Sequence, residues 1–90
     1  MNSIEHIMYR HGWNTGFKNV SRFFSGTTVR DVVSYVDEAL RYGEVKSLRP
    51  SVYEVIHNLR RAIGVDVHGR PTSFLRVIIE DAIIRTAHPL

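Results

Sequence analysis

The stretch SVYEVIHNL, residues 51–59, decides the fold of this chain. Val52, Val55, Ile56 and Leu59 recur at helical spacing, yet the segment is short and rich in β-branched residues, which suits a strand. Its surroundings favour the strand. EVKSL and Pro50 precede it, and RRAIGVDVHGR, Pro71, TSFLRVIIE and AIIRTA follow, all β-branched runs broken by turn signals. His68 and Gly69 mark a hairpin turn between IGVDV and PTSFLRVIIE.

Upstream the pattern is helical. In TTVRDVVSYVDEALRYG (27–43), Val29, Val32, Val33, Val36, Ala39 and Leu40 form one apolar stripe, with Thr28 and Asp31 as a variant capping box and Gly43 as the stop. NSIEHIMYRHGWN (2–14) predicts a shorter helix. Asn2 or Ser3 caps it, Ile4, Ile7 and Met8 make the stripe, Gly12 ends it, and Arg10 and His11 occupy the last turn, where the helix dipole favours cations. TGFKNVSRFFSG (15–26) reads as irregular, with Phe17, Val20, Phe23 and Phe24 as core anchors and Lys18 and Arg22 pointing outward. Helices first and strands after them give an α+β domain over residues 1–90, the N-terminal helices packed on one face of a twisted antiparallel sheet.

Composition narrows the function classes. Hydrophobic residues at 43% and charged residues at 23% belong to a folding domain. No stretch is long and apolar enough to span a bilayer, so no membrane contact is expected of this domain, and Met1 to Gly12 carries no signal-peptide pattern. An export signal would then belong to a longer parent protein. Cysteine is absent, which removes zinc-finger spacings and thiol nucleophiles. The net charge is +3, unevenly spread: between Arg30 and Arg41 three carboxylates face two arginines, leaving the excess elsewhere. A phosphate-bearing partner is the natural expectation.

Five histidines stand among the 90 residues. His6 and His11 are five apart, not the four that sets two ligands on one helix face, and the phosphate-loop, dinucleotide and serine-hydrolase motifs are missing. No metal or other cofactor is therefore expected. What remains is His6, Arg10 and His11 near one helix end, Lys18 and Arg22 on the following loop, and Arg76, Arg85, Thr86 and His88 on the last hairpin. These residue types suit metal-free RNA cleavage. An imidazole takes the proton of a ribose 2′-OH that attacks phosphorus, an acid protonates the leaving 5′-oxygen, and cations and hydroxyls hold the transition-state charge. Whether the terminal groups converge depends on the turn at Asp81 and Ala82. A two-residue turn would put Thr86 with Val77 and Ile79; a three-residue turn would pair it with Arg76, beside Phe74 and Ile78.

The run IGVDVHGRPTSFLRVIIEDAIIRTAHPL (63–90), with its Ile-Gly, its turn, its Arg-Val strand and its closing Thr-Ala-x-Pro, resembles the C-terminal half of bacterial polymorphic-toxin ribonucleases of the barnase/EndoU/colicin/RelE-like superfamily. These are the toxic tips of contact-dependent growth inhibition proteins. EHIMYRHG (5–12), followed by a loop with SRF and a helix, resembles the N-terminal half, so the likeness spans most of the chain. It implies helices on a twisted antiparallel sheet, cleavage of RNA, often tRNA, without metal, and neutralisation by a cognate immunity protein. It also implies delivery into a target cell's cytoplasm as the C-terminal part of a secreted or surface protein. By position, the helical histidine maps to His11 with His6 as the alternative, the closing threonine to Thr86 and the strand arginine to Arg76; His88 joins the catalytic candidates, and Arg10, Lys18, Arg22 and Arg85 those for substrate binding. The three-residue turn is then the expected register.

Two other readings use the same residues. A non-catalytic nucleic-acid-binding module would stack bases on Tyr9, Trp13 and Tyr53, although no helix-turn-helix or RRM signature is present. An interaction domain of a toxin–antitoxin pair is the other; a partner of a basic nuclease would more naturally be acidic.

Overall fold

The computed structural model describes residues 2–90. Its order is α1 (Ser3–His11), β1 (Arg22–Phe23), α2 (Val29–Tyr42), β2 (Glu44–Arg49), β3 (Val52–Asn58), β4 (Gly64–Val65), β5 (Pro71–Thr72), β6 (Phe74–Glu80) and β7 (Ile83–Pro89). It is a compact α+β fold: β2-β3-β6-β7 form an antiparallel sheet and β1-β4-β5 a smaller one. SVYEVIHNL is the strand β3, because its neighbours on both sides are strands that need its backbone groups as partners.

Both helix starts are closed by reciprocal capping boxes, Asn2 with Glu5 and Thr28 with Asp31. The helices cover one face of the larger sheet. There Ile7, Val32, Val36 and Ala39 meet Val55, Leu75, Val77 and Ala87, with Phe23, Leu59 and Ile63 closing the core. The α2 stripe is wider than the contact it makes. α2 packs on β3 and β6, so Val29, Val33 and Leu40 stay exposed, and the edge strand β2 is exposed throughout.

The segment before α2 departs from the irregular loop expected of it. Arg22 and Phe23 pair with Val65 and Gly64. Arg22 therefore does not point outward: it is half-buried, and its guanidinium donates to the Phe17 carbonyl at 2.8 Å. Phe23 is the buried anchor, while Phe24 is exposed. Gly64 is glycine because a Cβ there would run into the Arg22 carbonyl, Phe23 and the ring of Pro89. That close approach ties the small sheet to the end of β7.

The expected three-residue turn between β6 and β7 is not the one observed. Glu80 pairs with Ile83 across a two-residue turn, Asp81 and Ala82, whose φ values of 52° and 64° have the sign of a type I′ hairpin. A bulge then intervenes: Ile79 pairs with Ile84 but Ile78 pairs with Thr86, leaving Arg85 as the extra residue. The extra residue reverses the facing of everything after it. Thr86 thus pairs with Ile78, not with Arg76, and Arg76 pairs with His88.

Candidate active site on the open face of the sheet

Because paired residues in an antiparallel sheet share a face, the register fixes what stands on the side the helices leave open. One row across the strands is Glu44, Ile56, Arg76, His88; the next is Lys46, Glu54, Ile78, Thr86. Arg76 is the centre of this surface. Its Nε donates to Glu54 Oε2 at 2.6 Å on one side, and His88 lies directly across from it on the other. Glu54 and His88 stand two strands and two residues apart, roughly 12 Å at the backbone, on either side of the strand that carries Arg76.

His88 is held from behind. Its Nδ1–H donates to the Pro89 carbonyl at 2.8 Å, with Ser21 Oγ at 3.3 Å from the same nitrogen. A carbonyl can only accept, so the proton sits on Nδ1 and the neutral ring carries its lone pair on Nε2. His11, at the end of α1, stacks on this ring with centroids 4.9 Å apart and planes 27° apart. Its Nδ1–H donates to the buried Ser21 carbonyl at 2.7 Å, so it too has its lone pair on Nε2. Burial lowers the His11 pKa from 6.5 to about 4, against the opposing effect of the Ser21 carbonyl and with the charges of His88, Arg10 and His6 adding to the fall. The His88 pKa is lowered as well, first by burial and then by the Arg76 charge, while the Pro89 carbonyl opposes. Both imidazoles are neutral at pH 7, which is what lets them stack.

Of the sequence candidates, His11, Arg76 and His88 come together. His6, Arg85 and Thr86 line a separate groove of about 540 Å³ between the start of α1 and β7, where Ser3 Oγ donates to the Ile84 carbonyl at 2.7 Å. Arg85 is paired with Glu80 at 3.1 Å, Arg10 lies 4.7 Å over the Phe17 ring, and Lys18 is exposed. Sequence reasoning missed Glu54 and Ser21. A carboxylate in the middle of an apolar strand was the available signal for Glu54. Ser21 had none, because its role is set by its burial against two histidines distant in sequence.

The remaining histidines have other partners. His57 Nε2 lies 2.7 Å from Glu38, joining α2 to β3, and His68 sits in the 66–70 turn, where the Asp66 carboxylate accepts from the His68 and Arg70 amides. Among the described residues no three His, Asp or Glu side chains cluster as metal ligands, and no helix is long and apolar enough to cross a membrane. Compared with family models, curated proteins and solved structures, the chain matches none.

Proposed function

We propose that this domain is a metal-independent endoribonuclease in which Glu54, Arg76 and His88 carry the reaction. The observation that supports it is the Glu54–Arg76 ion pair at 2.6 Å with His88 across from Arg76, all on the open face of the sheet. An ionised carboxylate can act only as a base, so Glu54 takes the 2′-OH proton. The freed 2′-oxygen attacks the adjacent phosphorus, and the bond to the 5′-oxygen breaks. His88, as imidazolium, gives the Nε2 proton to that leaving oxygen. The products are a 2′,3′-cyclic phosphate and a free 5′-OH. Arg76 donates to the non-bridging oxygens, where charge grows in the transition state. A bound phosphate also raises the His88 pKa, so the substrate itself charges the acid.

This reading gives the base to Glu54 and takes His11 out of the acid–base pair. His11 is too hard to protonate for an acid and is stacked behind His88, so it serves as the ring's support. The likeness to polymorphic-toxin ribonucleases adds the finer expectations: a barnase/EndoU/colicin/RelE-like fold, tRNA as substrate, delivery into a target cell, and an immunity protein that covers the open face.

The test is incubation of the purified domain with tRNA and with short single-stranded RNA. Fragments should end in 2′,3′-cyclic phosphate, and a deoxyribose at the scissile nucleotide should block the cut. Cleavage of that deoxy substrate would mean attack by water and would refute the mechanism.

A further inference from the structure

The larger sheet has two edges, and only one is guarded. Along β7, Arg85 bulges out of the ladder, Ser3 Oγ donates to the Ile84 carbonyl at 2.7 Å, and α1 and β1 pack against the strand. β2 has no such cover. Its six residues, Glu44–Arg49, are all exposed, and the backbone groups that point away from β3 make no bond among the described residues. We propose that β2 is a self-association surface, on which a second copy of this chain adds its own β2, antiparallel, about a two-fold axis at Val45. The sheet of each copy then continues into the other, and the two open faces become one face of an eight-stranded sheet. Such a dimer does not depend on the ribonuclease reading.

The register selects the occupant. Paired residues in an antiparallel ladder share a face, so a two-fold axis sets one residue of β2 opposite itself and reverses the order of its neighbours. Centred on Val45, it puts Glu44 across from the second copy's Lys46, and Lys46 across from the second copy's Glu44, both pairs on the open face. Neither side chain has an ion-pair partner among the described residues of its own chain. Centred on Lys46, the axis would instead set two ammonium groups face to face; centred on Glu44, two carboxylates. Further along, the pairing runs into the bulge between Ser47 and Arg49 and then into Pro50, which has no N–H to give, and Arg49 is already held by Glu80 at 3.2 Å. A lysine on an edge strand ordinarily discourages pairing. Here its complement stands two residues away, where a second copy needs it.

The helix side of the same strand supplies the apolar part. α2 ends at Tyr42 and packs on β3 and β6, which leaves Val45 65% exposed. Tyr53, paired with Ser47 and on the same side as Val55, is exposed as well. With the axis at Val45 the two valines face each other across the new strand pair and shield one another from water. A foreign strand would meet the same backbone groups, but it would have to offer a cation, an apolar side chain and an anion in that order along one edge. β2 read backwards offers that order itself: Lys46, Val45, Glu44.

The test is sedimentation equilibrium of the intact domain at about 10–500 µM, where a contact this short, at the weak end of specific interfaces, should show a dimer. Glu44→Lys and Lys46→Glu should each weaken association about 10-fold or more, because each sets like charges opposite one another. An equimolar mixture of the two variants should dimerise again, since each supplies the charge the other lacks, and that recovery also shows that both fold. Val45→Asp, which places two carboxylates at the axis, should be monomeric. A parent chain that stays monomeric over this range would leave the edge to a foreign strand and overturn the proposal. A dimer that survives both Glu44→Lys and Val45→Asp would lie elsewhere on the surface and overturn it too, as would charge variants that fail to pair when mixed.

Discussion

His11 should make this domain lose stability in mild acid, and replacing it with Phe should remove much of that loss. The folded-state pKa of His11 is about 4 against 6.5 for a free imidazole. Between those values the unfolded chain binds a proton that the folded chain refuses, so unfolding becomes more favourable as pH falls from 6.5 toward 4. The full gap, at 1.36 kcal/mol per pH unit, sets an upper limit of roughly 3.4 kcal/mol. The ring is only partly buried, and solvent screening brings the expected contribution to about 1–2 kcal/mol. For a domain of this size that corresponds to about 4–16 °C in Tm.

The assay is thermal unfolding by circular dichroism of the parent and of His11→Phe, from pH 7.5 to 4.5. Phe keeps an aromatic ring against His88 but cannot titrate, so the variant's Tm should fall less over that range, whatever its starting value. His88 shares the direction of shift, and a second change, His88→Phe, should flatten the curve further. Two carboxylates with lowered pKa values titrate below this window. Asp31 and Asp66 are held below 3.8 by hydrogen bonds from the Thr28 and Arg70 amides first of all, so their stabilisation is lost only at lower pH. Parallel curves for parent and His11→Phe would refute the reasoning that burial keeps this ring neutral.

Other outcomes follow from the same geometry. Glu54→Gln and His88→Ala should each lower RNA cleavage about 10²–10⁴-fold without unfolding the domain, and His11→Ala should cost less than either; equal losses for His11 and His88 would return His11 to the chemistry. With Glu54 as base and His88 as acid, kcat/KM should fall as pH rises through the His88 pKa, which lies below 6.5; a rise with pH over that range would exchange their roles. Ala82→Gly should stabilise by about 0.4–1 kcal/mol, since Ala82 holds a φ of 64° that glycine adopts freely, and a lowered Tm would count against the turn. Deleting Arg85 should leave cleavage within the range of the parent, because removal of the extra residue keeps Ile78 opposite Thr86 and Arg76 opposite His88; loss of cleavage with the hairpin intact would show that the bulge itself shapes the site. An immunity partner should bind with an affinity that falls as salt rises, and a salt-independent association would exclude charge steering.

The elements themselves were legible in the sequence. The α2 stripe with its Thr28–Asp31 cap, the short α1 ending at Gly12, the turn at His68 and Gly69, and the strand character of residues 51–59 all follow from local patterns: side-chain period, caps and turn residues. Local patterns do not count residues across a strand pair. Asp81-Ala82 carries no glycine, so nothing nearby announced a two-residue turn, and the bulge at Arg85 depends on how β7 meets Ile78 and Ile79. Thus the sequence placed Arg76 and His88 among the candidates, but only the register set one across from the other. The same holds for Glu54, which becomes part of a site only when β6 brings Arg76 within 2.6 Å. For His11 the sequence offered a cation at a helix end; the fold buried its ring against Ser21 and His88 and made it neutral. Period and capping are properties of neighbours in the chain, whereas protonation and facing belong to whatever the chain brings together.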